Sequence, residues 1–468
     1  MGDLPDARSH AEDTSPLRIA MLSYKGNPFC GGQGVYVRHL SRELARLGHR
    51  VEVFGAQPYP VLDDVPGVTL TPLPSLDLYR QPDPFRTPPR EEYRDLVDLL
   101  EVATMWTAGF PEPLTFSLRA RRRLSAMRRV FDVVHDNQTL GYGLLGLERF
   151  GLPLVTTVHH PITVDRRLDL EAAAPHGWKK QLSVRRWYGF ARMQARVARR
   201  LPSIVTVSEH SAAQIRDEFG VRPERIHTVP IGADTRIFHP DAARTAPVPG
   251  RIVTTSSADV PLKGLVHLVR ALAKVSACRP DAHLVVIAKQ PAKDGPVAAA
   301  IADHGLADRI EFRTGISDED LGDLLRSAEV ACVPSLYEGF SLPAAEAMAS
   351  GTALVATTGG AIPEVAGPDG ETCLAVPPGD PDALADALGR VLDDPALRGR
   401  LAEAGRQRVL RRFTWEAAAR GTVEQYRRRI AAARGPRALR RPAASAGSPG
   451  PAGSTGSAGS RTEKAPTC

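Results

Sequence analysis

LRIAMLSYKGNPFCGGQGVYVRHLSRELARLGHRVEVFGA, residues 17–56, is the stretch that decides the architecture. An apolar run, LRIAMLSY (17–24), enters a glycine-rich turn; the amphipathic VYVRHLSRELARLG (35–48) follows, and a β-branched run, RVEVFGA (50–56), closes the unit. Apolar runs this short, bounded by glycine, suit buried strands, and the middle segment repeats its apolar residues at helical spacing. The reading is strand, crossover helix, parallel strand.

The alternation continues through FDVVHDN (131–137), LPLVTTVHH (152–160), SIVTVSEH (203–210) and RIHTVPIG (225–232). It then restarts with RIVTTSSA (251–258), AHLVVIAK (282–289), RIEFRTG (309–315), EVACVPS (329–335) and TALVATT (352–358). Between the two series lies PDAARTAPVPG (240–250), of linker composition. The expectation is an α/β protein of two doubly wound, Rossmann-like domains, 17–240 and 251–413, facing a cleft onto which the strand carboxyl ends open. Residues 57–130, rich in Pro and Arg, do not resolve into ordered elements.

The 468 residues, 43% hydrophobic and 24% charged, exceed what one core organises. No apolar run reaches the roughly 18 residues of a membrane span, and residues 1–16 are polar, so a disordered N-terminus and a cytoplasmic location are expected. Five cysteines, far apart and without a C-x-x-C pair, exclude a disulfide framework and a structural zinc site. From Gly435 the chain becomes small residues with little to bury, and 435–468 is expected to be a disordered tail. That tail carries +4 of the net +7, so the charge is weak evidence for nucleic acid, and none is expected as a partner.

Two stretches have chemistry. The first turn, YKGNPFCGGQGVY (24–36), offers backbone N–H groups to a phosphate or sugar oxygen. A nicotinamide site fits poorly: Gly32 and Gly34 give G-x-G, but Val37 takes the third glycine's place and Glu52 lies inside a strand-like run. The stronger signal is VPSLYEGFSLPAAEAMASG (333–351), where Glu338 falls in a loop after a strand and Glu346 about one turn into the next helix. The N–H groups of Gly339, Phe340, Ser341 and Leu342 lie between them at the helix start, where free donors and the dipole favour an anion. Carboxylates for hydroxyls beside amides for phosphate describe a nucleotide-sugar receptor. On spacing alone, two solvated acids at a helix start are the better reading.

The chain resembles the family 4 retaining glycosyltransferases, which have the GT-B fold. Their E-x7-E motif is matched by EGFSLPAAE (338–346). In order along residues 17–433 stand the Gly31–Gly32 turn, LGHRVEV (47–53), TVH (157–159), VS (207–208), VPIGADTRIF (229–238) and KG (263–264). The resemblance implies transfer of a hexosyl group from a nucleoside-diphosphate sugar to a hydroxyl acceptor, with retention and without a metal or other cofactor. It assigns Glu346 to the donor's ribose, Glu338 to the transferred sugar, Lys263 to the diphosphate, and the amides of Phe340, Ser341 and Leu342 to phosphate and sugar oxygens. Gly32 approaches from the first domain, and His159 lines the sugar pocket. Plainer readings stand beside two of these: Lys263 as a helix cap and His159 as a wall residue. Residues 414–433 are expected to form a helix crossing back to the first domain.

The chain also departs from the family. Ser257 stands where an arginine commonly forms a second diphosphate clamp, and Lys289 where a glycine is usual, so Lys289 is a candidate for the missing positive charge. Because of Ser257, a non-catalytic nucleotide-sugar-binding or membrane-associated scaffold is a rival, as is a nucleotide-sugar epimerase. Two D-x-D strings, Asp318 to Asp320 and Asp380 to Asp382, start amphipathic stretches and read as first-turn acids, not as metal ligands. The acceptor is expected to be a small-molecule or lipid-linked hydroxyl compound. Six arginines between Arg119 and Arg129 suit either peripheral contact with the inner face of the membrane or a solvated crossover helix. Trp178, Trp187, Tyr188 and Phe190, on a second basic stretch, are read as packing between helices.

Overall fold

The computed structural model describes residues 15–26, 32–80, 83–174, 177–241, 247–256, 260–288 and 295–434. Ser257 and Lys289, the tail 435–468 and most of the N-terminal segment 1–16 lie outside them.

The first half runs β1 (Arg18–Ser23), α1 (Gly32–Arg46), β2 (Arg50–Gly55), β3 (Val68–Pro72), α2 (Leu96–Trp106), α3 (Glu112–Ala126), β4 (Val133–Asn137), β5 (Leu154–Thr157), α4 (Thr163–Ala173), α5 (Trp178–Trp187), α6 (Gly189–Ala198), β6 (Ile204–Thr206), α7 (Glu209–Phe219) and β7 (Ile226–Thr228). Its seven strands pair in the order β3-β2-β1-β4-β5-β6-β7, all parallel.

The second half runs β8 (Arg251–Thr255), α8 (Leu265–Cys278), β9 (His283–Ile287), α9 (Gly295–Asp303), β10 (Ile310–Arg313), α10 (Asp318–Arg326), β11 (Val330–Val333), α11 (Leu342–Ala349), β12 (Leu354–Thr357), α12 (Ile362–Ala366), β13 (Leu374–Val376), α13 (Pro381–Asp393), α14 (Pro395–Arg412) and α15 (Trp415–Arg434). Its six strands pair in the order β10-β9-β8-β11-β12-β13, again all parallel. The central strands β4, β5, β11 and β12 are buried at every residue, as parallel strands covered on both faces must be.

Each strand order reverses at its first strand, between β1 and β4 and between β8 and β11. At such a point adjacent crossovers leave to opposite faces and open a crevice at the strand carboxyl ends. The loops after β1, β4, β8 and β11 are therefore the ones the topology brings to a site.

After α14 the chain returns to the first half. The Ala233 N–H donates to the Phe413 carbonyl at 3.0 Å, and a Cβ on Gly232 would stand 2.1 Å from the Phe413 carbonyl carbon, so only glycine lets the strand pass this closely. The Trp415 ring stacks on His39 of α1 at 5.0 Å, and the buried Tyr426 hydroxyl bonds His135 Nδ1 at β4.

Residues 57–130 contribute β3, α2 and α3. Arg119 of α3 turns inward to Asp98 at 2.6 Å and also pairs with Glu101, while Arg122 bonds Asp95 at 2.6 Å. Two of the six arginines are thus committed to acids of α2 and its N-cap. Both D-x-D strings sit at helix starts: Ser317 and Asp320 form a capping box on α10, and Asp380 caps α13. Tyr188 and Phe190 are buried and Trp187 is half-buried, whereas Trp178 is 70% exposed. No helix among the described residues is long and apolar enough to cross a membrane.

Candidate functional site

A cavity of ≈ 350 Å³ opens between the two sheets. Gly32, Gln33, His159 and His160 line it from the first half, and Lys263, Glu338, Gly339, Phe340, Ser341 and Leu342 from the second.

The loop after β8 makes a short turn, Pro261–Lys263, closed by Gly264 at φ +64°. It is pressed onto the loop after β11: the Leu336 N–H donates to the Leu262 carbonyl at 2.7 Å, and a Cβ on Gly264 would lie 2.0 Å from the Pro334 oxygen. This places Lys263 Nζ 2.7 Å from Glu338 Oε1, the oxygen that also accepts from Ser335 Oγ at 2.7 Å.

Beyond Glu338 the backbone turns sharply into α11. Ser341, its N-cap residue, has φ +95°, a conformation that L side chains rarely adopt and that persists only where the surroundings enforce it. Its side chain is buried, and its Oγ has no hydrogen-bond partner among the described residues. The N–H groups of Gly339, Phe340, Ser341 and Leu342 likewise find no protein acceptor among the described residues. Four free donors at a helix start beside a lysine form a region of positive potential. Phe340 is buried edge-on against Phe413 at 5.7 Å, and the Gly339 carbonyl accepts from Ser208 Oγ at 2.7 Å and Ser211 Oγ at 3.1 Å, fastening the turn to the first half.

Glu346, on α11, is half-buried and does not line the cavity. Burial, with Asp318 adding a smaller repulsion, pushes its carboxyl up to about 8, and no protein group among the described residues bonds it.

On the opposite wall, Asn137 at the end of β4 donates through Nδ2 to the Gln33 carbonyl at 3.2 Å, which turns its Oδ1 to His159 Nε2 at 2.8 Å. Burial pushes the His159 imidazole down to about 3, so it is neutral, with its proton on Nε2 donated to Asn137. Nδ1 is left as an acceptor; a ring this weakly basic takes a hydroxyl hydrogen bond rather than a proton. Gly32 opens α1 with no described atom within 4 Å of where a Cβ would stand.

Sequence reasoning passed over Asn137, Gln33 and Tyr337, the last of which also lines the cavity. Asn137 and Tyr337 were findable, the first as the last residue of a strand beside the switch point, the second as the neighbour of Glu338.

Two parallel sheets of switch-point topology, closing on a cavity lined by a lysine, a carboxylate and free helix-start amides, define a GT-B-type glycosyltransferase. Residues 30–237 match the model for Glycosyltransferase Family 4, and residues 241–408 that for Glycosyl transferases group 1. The chain belongs to glycosyltransferase family 4, and it is a transferase enzyme. It is 56% identical over 416 residues to the MMP alpha-(1->4)-mannosyltransferase of Mycolicibacterium hassiacum, covering 89% of this chain and 99% of that one. It is 33% identical over 438 residues to a D-inositol 3-phosphate glycosyltransferase of Xylanimonas cellulosilytica, covering 87% and 96%. Among solved structures, the sucrose-phosphate synthase of Thermosynechococcus elongatus superposes with a TM-score of 0.67 at 26% identity, covering 89% and 100%.

Proposed function

We propose that this glycosyltransferase moves an α-mannosyl group from a nucleoside-diphosphate mannose to a hydroxyl of a mannose-containing saccharide, with retention and without a metal ion. The observation that carries the reading is the 56% identity, over 416 residues, with the M. hassiacum mannosyltransferase. Nucleotide-activated mannose is α-linked to its diphosphate, so an α-(1→4) product means retained configuration.

Glu346 accepts the ribose hydroxyls and Glu338 those of the transferred sugar. Lys263 exchanges Glu338 for the diphosphate, and the amides of Gly339, Phe340, Ser341 and Leu342 receive phosphate and sugar oxygens. Gly32 lets the backbone of the other wall approach, and His159 Nδ1 accepts a sugar hydroxyl. Lys289 supplies charge in place of the arginine replaced by Ser257. Breaking the glycosyl–phosphate bond leaves negative charge on the diphosphate and positive charge on the sugar, so fixed donors aimed at the leaving group lower the barrier. The acceptor hydroxyl then attacks the face from which the diphosphate departs and passes its proton to it. A lipid-linked acceptor would bring the enzyme to the inner membrane surface, where Arg121, Arg122, Arg123, Arg128 and Arg129 are the exposed arginines of the basic stretch.

The test is product formation from GDP-mannose, UDP-glucose, UDP-galactose or UDP-N-acetylglucosamine with an α-mannoside acceptor, in chelator, with the new anomeric centre read by NMR. An α-mannoside from GDP-mannose is expected. Turnover with a glucosyl or galactosyl donor instead overturns the sugar, a β product overturns retention, and loss of activity in chelator overturns metal independence.

A further inference from the structure

Beside the cavity the first half carries aromatic residues that none of these roles uses. Tyr24, at the end of β1, hydrogen-bonds the cavity-lining Gln33. The next residue, Lys25, holds its ammonium 4.6 Å from the centre of the Phe110 ring and 3.7 Å from Glu112 Oε2. From Phe110 the rings run outward: Trp187 at 5.0 Å and Tyr79 at 5.5 Å from it, then Phe85 at 5.5 Å from Tyr79 and 6.2 Å from Trp187. Phe110 is buried, Tyr79 and Trp187 are half-buried, and Phe85 is 60% exposed.

A packing cluster would turn its last ring inward. Phe85 instead has φ +66°, in the left-handed region that is costly for a bulky residue. Its N–H donates to the Leu78 carbonyl at 2.7 Å, and the buried Arg86 after it donates to the Leu76 carbonyl at 2.8 Å. The backbone is pinned so that the ring faces water.

We propose that Lys25, Tyr79, Phe85 and Trp187 form an extended subsite for the acceptor saccharide, holding pyranose rings beyond the one that carries the reacting hydroxyl. The proposal rests on the saccharide acceptor of the mannosyltransferase reading. A pyranose presents polarised C–H groups on its faces and hydroxyls on its rim. The faces stack on the electron-rich faces of aromatic rings, and the rim hydroxyls bond to polar groups set beside them. The surface has that composition, rings leading to an ammonium and a carboxyl at the cavity end. Burial pushes Glu112 up to about 7, so near neutrality it offers either a donating O–H or an accepting carboxylate. An alkyl chain on the same path would have to desolvate the half-exposed Lys25 ammonium without bonding it.

The experiment measures kcat/KM with α-(1→4)-mannosides of one, two, four and six units for the wild type, Phe85→Ala and Phe85→Tyr. The wild type is expected to prefer the longer acceptors. Phe85→Ala should lower the six-unit to one-unit ratio of kcat/KM by about 3- to 10-fold, the worth of one stacking contact, and Phe85→Tyr should restore it. A length-independent wild type, or a ratio unmoved by Phe85→Ala, overturns the subsite while leaving the mannosyltransferase reading intact. If no mannoside of any length is a substrate, that reading fails, and calorimetric titration of the six-unit mannoside decides the subsite separately: binding weakened by Phe85→Ala supports it, and no binding overturns it. An unmoved ratio together with lost self-association, or lost binding to anionic phospholipid vesicles, assigns the rings to a second copy or to lipid and overturns the proposal.

Discussion

Lys263 Nζ lies 2.7 Å from Glu338 Oε1, so the cation proposed for the diphosphate rests on the carboxylate proposed for the transferred sugar. A ligand bringing both a diphosphate and sugar hydroxyls gives each a new partner; a free sugar gives the lysine none. Lys263→Ala is expected to lower kcat/KM by about 10²- to 10³-fold, the usual effect of removing one fixed donor to a developing anion. Its melting temperature should hardly move, because a pair whose lysine side chain is 32% exposed contributes about 1 kcal/mol or less. Steady-state kinetics beside thermal unfolding checks both; near-wild-type turnover would remove Lys263 from the site.

Ser341 has a buried hydroxyl without a hydrogen-bond partner among the described residues, on a strained backbone. A group that costs stability when empty has its use when filled. Ser341→Ala should leave the protein as stable as the wild type, or more stable by about 1 kcal/mol, since an unsatisfied polar group is removed. The donor KM should rise severalfold. A clear loss of stability with unchanged KM would make Ser341 structural.

What was legible in the sequence was whatever leaves a local period. Buried parallel strands are continuous apolar runs and their crossovers are amphipathic, so RIAMLS, VVHDN and VACV announce themselves. The acids at Asp318 and Asp380 were equally plain, because a cap and its helix are adjacent in sequence. The stretch 57–130 was not, because it is held by pairs with no period: Arg119 on Asp98 and Glu101, Arg86 on Glu92, and Phe85 in the left-handed region. Within the site, Glu338 and Lys263 could be named from their motifs, but their contact could not, since it depends on β8 lying beside β11. Glu346 away from the cavity lining, and the tautomer of His159 set by Asn137, are likewise outcomes of packing between distant segments.

Glu346 makes stability depend on pH. Unfolded, its carboxyl ionises near the ordinary 4.5; folded, burial pushes it up to about 8, with Asp318 contributing. Between those values the native state holds a proton that the unfolded chain has released, so this group's contribution falls as pH rises to about 8 and is constant above. Glu346→Gln should therefore match the wild type near pH 5 and exceed it in melting temperature above about pH 8. Binding of ribose hydroxyls favours the acceptor-only carboxylate, so donor binding near pH 7 should release a proton. Calorimetry in two buffers of different ionisation enthalpy reads that proton; a buffer-independent heat would detach Glu346 from the donor.

Glu364 of α12 accepts the N–H groups of Glu209 and His210, at 2.8 and 2.7 Å, and so caps α7 from the other half of the molecule. A carboxylate there meets two orphan donors and the positive end of the helix dipole, worth about 1–2 kcal/mol where the cap is internal. Here the cap joins the halves, alongside Ser208 on the Gly339 carbonyl, so its energy favours the arrangement in which they meet. Glu364→Ala should leave each half folded, with a melting temperature near that of the wild type, while the ensemble opens. Small-angle scattering should show a larger radius of gyration without donor. The donor KM should rise about 5- to 30-fold, the same 1–2 kcal/mol now drawn from binding to close the cleft. Saturating donor should restore the compact form, since binding can supply the difference. An unchanged radius of gyration and KM would show that the contact follows closure rather than holding it.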